Sequence, residues 1–269
     1  MKKKVLSTMC IILAMTIFLV GCGDPEKKAA KEECENEISR IEKLLLERDE
    51  LVQKAEEVVQ EEKPALNKEL VSMLENQIST VKAIAFEEPD ITGETKEIKA
   101  IAEELKKIDY QKEFSDLKEA QKDLQISRKQ YELVNAPEEA FIIERLKRVE
   151  NMGDISAATE DNDPNGNLNK QGGYTAQVYF SSPLIDQSIF SDDSVIDKGT
   201  QCGGSIEVYK TVEEVQNRED YLATFDGGVL SSGSHKVIGT VLIRTSNELT
   251  ATQQQELEKA IIEAFTMLE

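Results

Sequence analysis

The segment between residues 158 and 174, ATEDNDPNGNLNKQGGY, has the residue spacing of a calcium-binding loop. Five oxygen-bearing residues alternate along it: Asp161, Asp163, Asn165, Asn167 and Asn169. Ca²⁺ prefers oxygen ligands from carboxylates, amides and backbone carbonyls, and a glycine at the sixth position, here Gly166, permits the sharp turn of such a loop. The spacing therefore predicts a calcium site at 161–169.

An EF-hand is excluded, because its twelfth position holds a bidentate glutamate and here that position is Gly172. A looser hairpin loop would bind Ca²⁺ weakly, with a Kd on the order of 10⁻⁴ to 10⁻³ M as in extracellular modules. The alternative is a polar turn without metal, since Asn and Asp side chains bond their own backbone and glycine adopts positive φ. The sequence leaves both interpretations open.

A second candidate is the glycine- and serine-rich stretch FDGGVLSSGSHKVIG, residues 225–239. Ser232, Ser234 and His235 could contact a ligand there, or act as nucleophile and base. Nucleophilic catalysis needs a base oriented by a third group and an oxyanion site. The stretch has no G-x-S-x-G motif, and neighbours on a strand point to opposite faces, so we predict that the protein is not an enzyme. A plain connection into a strand is the alternative.

Residues 135–269 mix strand and helix patterns. YTAQVYFSS alternates apolar and polar residues, GSIEVY is a shorter strand and HKVIGTVLIRTS is the longest. Two helices begin at capping boxes, Thr211 with Glu214 and Thr250 with Gln253. We expect an α+β module, a small and mostly antiparallel sheet with helices packed on one face.

Residues 22–134 are dense in Glu, Lys, Leu and Ile, with apolar residues three and four positions apart. Such a stripe must be buried, and a partner helix that folds back is the simplest way to bury it. We expect a long antiparallel helical hairpin, coiled coil or three-helix bundle that serves as a stalk, broken at Pro64. The change in composition predicts a domain boundary between residues 134 and 135.

Charge and cysteine content narrow the function. The chain has 32 basic and 52 acidic residues, a net charge of −20, which repels phosphate backbones and argues against nucleic acid as a partner. With one histidine and no C-x-x-C motif, a Cys/His zinc site is excluded. Cys34 and Cys202 are too few for a disulfide framework, although the sequence leaves open whether they pair.

The first residues, MKKKVLSTMCIILAMTIFLVGCG, combine three lysines with an apolar run, as in a secretory signal. LVGC at 19–22 resembles the lipobox of bacterial lipoproteins. The resemblance implies a signal peptide over 1–21, cleavage before Cys22, and fatty chains such as palmitate on the Cys22 thiol. Two chains on one cysteine suffice for stable membrane anchoring. The protein would then lie on the extracytoplasmic face of the bacterial cell membrane, attached through Cys22.

The segments EDNDPNGNLNKQGGYTAQVYFSS, GSIEVY, FDGGVLSSGSHKVIGTVLIRTS and ELTATQQQELEKAI together resemble a C-terminal module of lipoproteins from Gram-positive bacteria. The resemblance covers about half the chain and implies no activity. We expect a non-enzymatic surface lipoprotein whose helical spacer presents the module to a cell-wall or protein partner. The alternative is an ion- or small-molecule-binding lipoprotein that uses the calcium loop at 161–169.

Overall fold

The structure is a computed structural model that describes residues 24–190, 193–228 and 233–269. The predicted signal peptide, Cys22 and Ser232 lie outside these residues. None of the helices within the covered ranges combines the length and apolar content needed to cross a membrane.

The N-terminal half is helical. The helices are α1 (Pro25–Gln60), α2 (Glu69–Lys82), α3 (Thr95–Lys106) and α4 (Gln111–Leu133). The predicted break at Pro64 is confirmed, because it lies in the connection between α1 and α2. A capping box begins α3, in which the Glu97 carboxylate accepts from the backbone N–H of Glu94 at 2.9 Å.

By packing, the chain divides into two compact units. The first comprises residues 24–47 and Ala85–Tyr110, and the second comprises Arg48–Ile84 and Gln111–Glu269. The boundary expected between 134 and 135 follows composition and stays a prediction.

In the first unit α1 and α3 run side by side in the same direction, as the pairing of Glu26 with Lys99 and of Glu33 with Lys106 shows. Seven buried residues form the core: Ala30, Cys34, Ile38, Ile41, Ile98, Ala102 and Leu105. Arg40 closes the C-terminal end of α3 by donating to the carbonyls of Leu105 at 2.9 Å and Ile108 at 3.1 Å. The Leu105 carbonyl also accepts from the backbone N–H of Ile108 at 3.1 Å, and the guanidinium adds a side-chain donor at this end of the helix.

In the second unit the end of α1 and α2 form the predicted antiparallel hairpin. The connection is short, since α2 begins nine residues after α1 ends, and Lys82 at the far end of α2 pairs with Glu56 of α1. Helix α2 therefore folds back along α1. Helix α4 joins them, where the buried Arg128 donates from Nη1 to the carbonyl of Val58 at 2.8 Å.

The rest of the second unit is a five-stranded antiparallel sheet in the order β1-β2-β3-β5-β4. The strands are β1 (Ile155–Ala157), β2 (Ala176–Ser181), β3 (Gly203–Val208), β4 (Ser234–Ile238) and β5 (Val241–Thr245). Helix α5 (Glu139–Leu146) precedes the sheet, α6 (Val195–Lys198) and α7 (Val212–Ala223) lie between strands, and α8 (Ala251–Thr266) follows. The predicted α+β class is confirmed.

Helices cover both faces of the sheet, so the expectation of helices on one face was wrong. On the first face Val178, Ile206 and Ile243 pack with Ile142 of α5 and Ile261 of α8. On the second face Tyr174, Tyr209 and Leu242 pack with Val215 and Leu222 of α7. The second face carries enough apolar surface to pack against a helix, α7. The alternating pattern of β2 did not indicate this, because it is typical of a strand with one solvated face.

The predicted longest strand, HKVIGTVLIRTS, is a hairpin of β4 and β5. Gly239 lies in its turn with φ of 57°, a conformation that glycine adopts without strain. A Cβ at that position would also lie 2.4 Å from the carbonyl oxygen of Val134, which accepts from the backbone N–H of Thr240 at 3.0 Å.

Candidate functional site

The second face of the sheet carries a buried layer of polar side chains. The strand register places Tyr179 opposite Ser205, Ser205 opposite Arg244, and Arg244 opposite His235. Residues opposite one another in an antiparallel sheet share a face, so these four form one row across β2, β3, β5 and β4. One row away, Gln177 lies opposite Glu207.

Glu207 is the centre of this layer and is fully buried. Its Oε2 accepts from the Tyr209 hydroxyl at 2.7 Å and from Arg218 Nε at 3.0 Å. Its Oε1 accepts from Arg218 Nη2 at 3.2 Å and from Arg244 Nη1 at 3.1 Å. Four donors therefore compensate the carboxylate for its loss of water, which a buried charge requires.

The two arginines keep Glu207 ionised. Burial by itself raises the pKa of this carboxyl, but the positive charges of Arg218 and Arg244 outweigh that effect and hold the pKa below its ordinary value. Arg218 reaches the sheet from the middle of α7, and its guanidinium lies 5.5 Å from the ring centre of Tyr221. The capping box that Thr211 and Glu214 make at the start of α7 confirms the one predicted from sequence.

Gln177 and Tyr179 extend the layer along β2. The Gln177 amide donates from Nε2 to the Tyr179 hydroxyl at 2.6 Å. The Gln177 Oε1 is buried and has no hydrogen-bond partner within the described part of the chain. Burial and the nearby charge of Glu207 raise the pKa of Tyr179, so its hydroxyl stays protonated. This part of the layer therefore contains one buried acceptor oxygen, Gln177 Oε1, without a donor in the described residues.

The predicted calcium loop is organised around the side chain of Asp163. Its Oδ1 accepts from the backbone N–H of Asn165 at 3.1 Å and from the Tyr174 hydroxyl at 2.6 Å. Its Oδ2 accepts from the N–H groups of Asn167 at 2.6 Å and Leu168 at 2.9 Å. These are the backbone bonds expected of a polar turn without metal.

The same contacts set the charge of Asp163. Its burial raises the pKa, but the hydrogen bonds from Tyr174 and from the three backbone N–H groups outweigh this and place the pKa below its ordinary value. Both oxygens thus have partners in the chain while the carboxyl is ionised.

The other predicted calcium ligands lie on both sides of Asp163 along the loop. Asp161 is exposed, and Asn169, with φ of 60°, donates from Nδ2 to Glu160 Oε1 at 2.9 Å. Gly166 has the positive φ, 62°, that its place in the turn requires. Within the described ranges no three His, Cys, Asp or Glu side chains are grouped to hold a metal ion. Calcium binding at 161–169 stays a prediction.

The loop and the buried layer are connected through two tyrosines. Tyr174, whose hydroxyl donates to Asp163, packs edge-on against Tyr209 with ring centres 6.2 Å apart and planes at 86°. Tyr209 in turn donates to Glu207. Aromatic pairs prefer this edge-to-face arrangement. One continuous set of contacts therefore runs from the predicted calcium loop to the Glu207 carboxylate.

Ser234 and His235 lie on opposite faces of β4, as the sequence predicted. Ser234 donates its hydroxyl to Glu258 of α8, on the first face. On the second face His235 Nε2 lies 3.3 Å from Asp226 Oδ1, and its Nδ1 lies 3.6 Å from Glu219 Oε1. The serine and the histidine do not form a nucleophile–base pair.

Cys34 and Cys202 are both free and buried. The Cys202 thiol lies among carbonyl oxygens, 3.3 Å from that of Gly199, and burial raises its pKa. A raised pKa disfavours the thiolate that nucleophilic cysteine chemistry needs.

The residues at the centre of the layer, Glu207, Arg218, Arg244 and Gln177, were not predicted from the sequence. The only available signal was the alternation in GSIEVY, which places Ser205, Glu207 and Tyr209 on one face. Alternating polar residues ordinarily indicate a solvated face, and Arg218 lies on a separate helix.

The chain matches no protein-family model, no curated protein and no solved structure.

Proposed function

We propose that this chain is a non-enzymatic lipoprotein, anchored through Cys22 to the extracytoplasmic face of a bacterial membrane, whose α+β module serves as an interaction module. The observation that carries the proposal is LVGC at 19–22, which follows three lysines and an apolar run. Helix α1 begins at Pro25, three residues after Cys22, so folded structure starts immediately beyond the proposed cleavage site.

The geometry of the module supports binding over catalysis. The charged groups of the buried layer bond to one another, and Ser234 and His235 contact different helices. The module also exposes large apolar side chains: Leu184, Ile189, Val212, Tyr221, Met267 and Leu268. Exposed apolar side chains are the usual material of protein interfaces. A cell-wall component or a protein is the partner that we propose.

The experiment is metabolic labelling of bacterial cells that express the full chain with a palmitate analogue. We expect the label on the intact protein and its loss in Cys22→Ala, because the thiol is the acceptor. Cys10→Ala is the matched control, since it removes a cysteine from the same N-terminal segment and should leave labelling unchanged. Equal labelling of the Cys22→Ala protein would refute the proposed anchor.

Calcium binding at 161–169 is the second candidate, and the favourable observation is the exposed Asp161 beside the ionised Asp163. It is the weaker proposal, because both Asp163 oxygens already accept hydrogen bonds from the chain. A calcium ion would have to displace some of those donors.

A further inference from the structure

The first helical unit contains an apolar groove that its own chain covers only in part. The groove has a volume of about 570 Å³, within the range of roughly 300–1,000 Å³ found for ligand clefts. Six apolar side chains larger than alanine line it: Phe86, Pro89, Ile101, Leu105, Ile108 and Tyr110. All of them except Leu105 are only half-buried. The groove therefore leaves apolar surface in contact with water.

The helical period explains why α3 leaves this surface open. Ile98, Ala102 and Leu105 lie on the face that packs against α1. Ala100, Ile101 and Glu104 lie on the adjoining face, which the irregular segment 85–94 and the residues that follow α3 cover only in part within the described residues of this unit. Ile101 lies on α3, and Ile108 follows just beyond the end of the helix, so the apolar floor continues from α3 into the chain that leaves it.

The charge around the groove is negative. Glu87 and Glu104 line it, and both are exposed. Segment 85–110 has four lysines and eight acidic residues, so its net charge is 4 − 8 = −4. The net charge of −4 already includes Lys106, which pairs with Glu33 and Glu103, and Lys107, which pairs with Glu104.

This charge selects the occupant. A second copy of the chain would bring a net charge of −20 to an acidic rim, and anionic lipid headgroups would be repelled in the same way. An apolar stripe flanked by lysine or arginine complements both the floor and the rim. We propose that the groove of α3 and segment 85–94 is a docking site for a basic amphipathic helix of a partner protein, which lays its apolar face on Ile101 and Ile108. The proposal goes beyond the lipoprotein function and does not depend on Cys22.

The test measures binding of a fluorescent peptide to the full chain by anisotropy, with one non-ionic detergent in every arm. The peptide has about 16 residues, with leucines at i, i+3, i+4 and i+7 and lysines elsewhere. One control peptide has the same composition, shuffled so that the leucines share no face, and a second replaces lysine with glutamate. Each is titrated against the unaltered chain, against Glu87→Lys/Glu104→Lys, and against Glu119→Lys/Glu213→Lys. The last variant changes the net charge equally at exposed positions of the other unit.

We expect the patterned lysine peptide to bind at least about tenfold more tightly than either control peptide, since the groove needs both the stripe and the charge. Glu87→Lys/Glu104→Lys should weaken that binding at least about tenfold, and Glu119→Lys/Glu213→Lys by less than about twofold. Absence of binding by the patterned peptide overturns the proposal. So does equal binding of the shuffled peptide, equal binding of the glutamate peptide, or an equal effect of the two double variants.

Discussion

Replacement of Glu207 by glutamine tests whether the buried layer supports the second unit. Glutamine has nearly the same shape, but it removes the negative charge that Arg218 and Arg244 contact at 3.0 to 3.2 Å. Its NH₂ group would also replace an oxygen that now accepts from arginine. Two guanidinium groups with low exposure would then lose the counter-charge that Glu207 gives them.

The size of the effect follows from that burial. Removal of one partner from a buried ion pair costs about 3–5 kcal/mol, because the remaining charge is left without compensation. For a domain of 150–250 residues each kcal/mol lowers the Tm by about 2–4 °C, so we expect Glu207→Gln to lower it by about 6–20 °C. Glu256→Gln, which makes the same chemical change on the exposed side of α8, should alter the free energy of unfolding by at most about 0.5 kcal/mol.

Urea unfolding followed by near-ultraviolet circular dichroism would measure the loss. The chain has no tryptophan and six tyrosines, and Tyr174, Tyr179 and Tyr209 lie in or beside the layer. The pKa of Glu207 is depressed in the folded protein and returns to about 4.3 on unfolding. Its charge therefore stabilises the fold above about pH 4.3, and this contribution is lost as pH falls through the folded-state pKa. A loss below about 1 kcal/mol at pH 7, or an equal loss at pH 7 and pH 3, would refute the reasoning.

Three further outcomes are expected. Asp163→Ala should lower the free energy of unfolding by about 2–4 kcal/mol, because four donors lose their acceptor. Asp161→Ala, at an exposed position, should change it by less than about 0.5 kcal/mol. Urea titration measures both values. If the loop is a turn without metal, 5 mM Ca²⁺ should shift the Tm by less than about 1 °C relative to EDTA, whereas a site with a Kd near 1 mM would raise it by about 2–4 °C. Arg40→Ala should speed amide hydrogen exchange in Leu105–Tyr110, because the carbonyls of Leu105 and Ile108 lose the guanidinium donor. Unchanged exchange there would contradict the capping role.

Local signals in the sequence predicted the elements well where side chain and backbone act together. The capping boxes at Thr211 and Thr250 formed as expected, since the spacing of the two side chains is sufficient to satisfy the first amides of a helix. The break at Pro64 is equally local. The hairpin turn at Gly239 was overlooked because β-branched residues on both sides continue the strand pattern through it.

The buried layer could not be predicted for a physical reason. The alternation of apolar and polar residues in YTAQVYFSS is the pattern of a strand that buries only one face. In the structure all six residues of β2 are buried, and Tyr174 packs with Tyr209 on the second face. A charged residue such as Glu207 needs an opposite charge to compensate its burial in a strand, and Arg218 comes from a helix that lies outside the strand pattern. The pairing is a property of the tertiary fold.

The buried layer around Glu207 also disfavours wrong registers between the strands. Side chains in a strand alternate between faces, so a slip of β3 by one position would turn Glu207 toward the aliphatic side chains beneath α8 and turn Ile206 toward Arg218. A carboxylate stranded in hydrocarbon is far more costly than a misplaced methyl group. A chain that samples such an alignment during folding would leave it for a more stable one. The ion cluster therefore favours the native register of the strands.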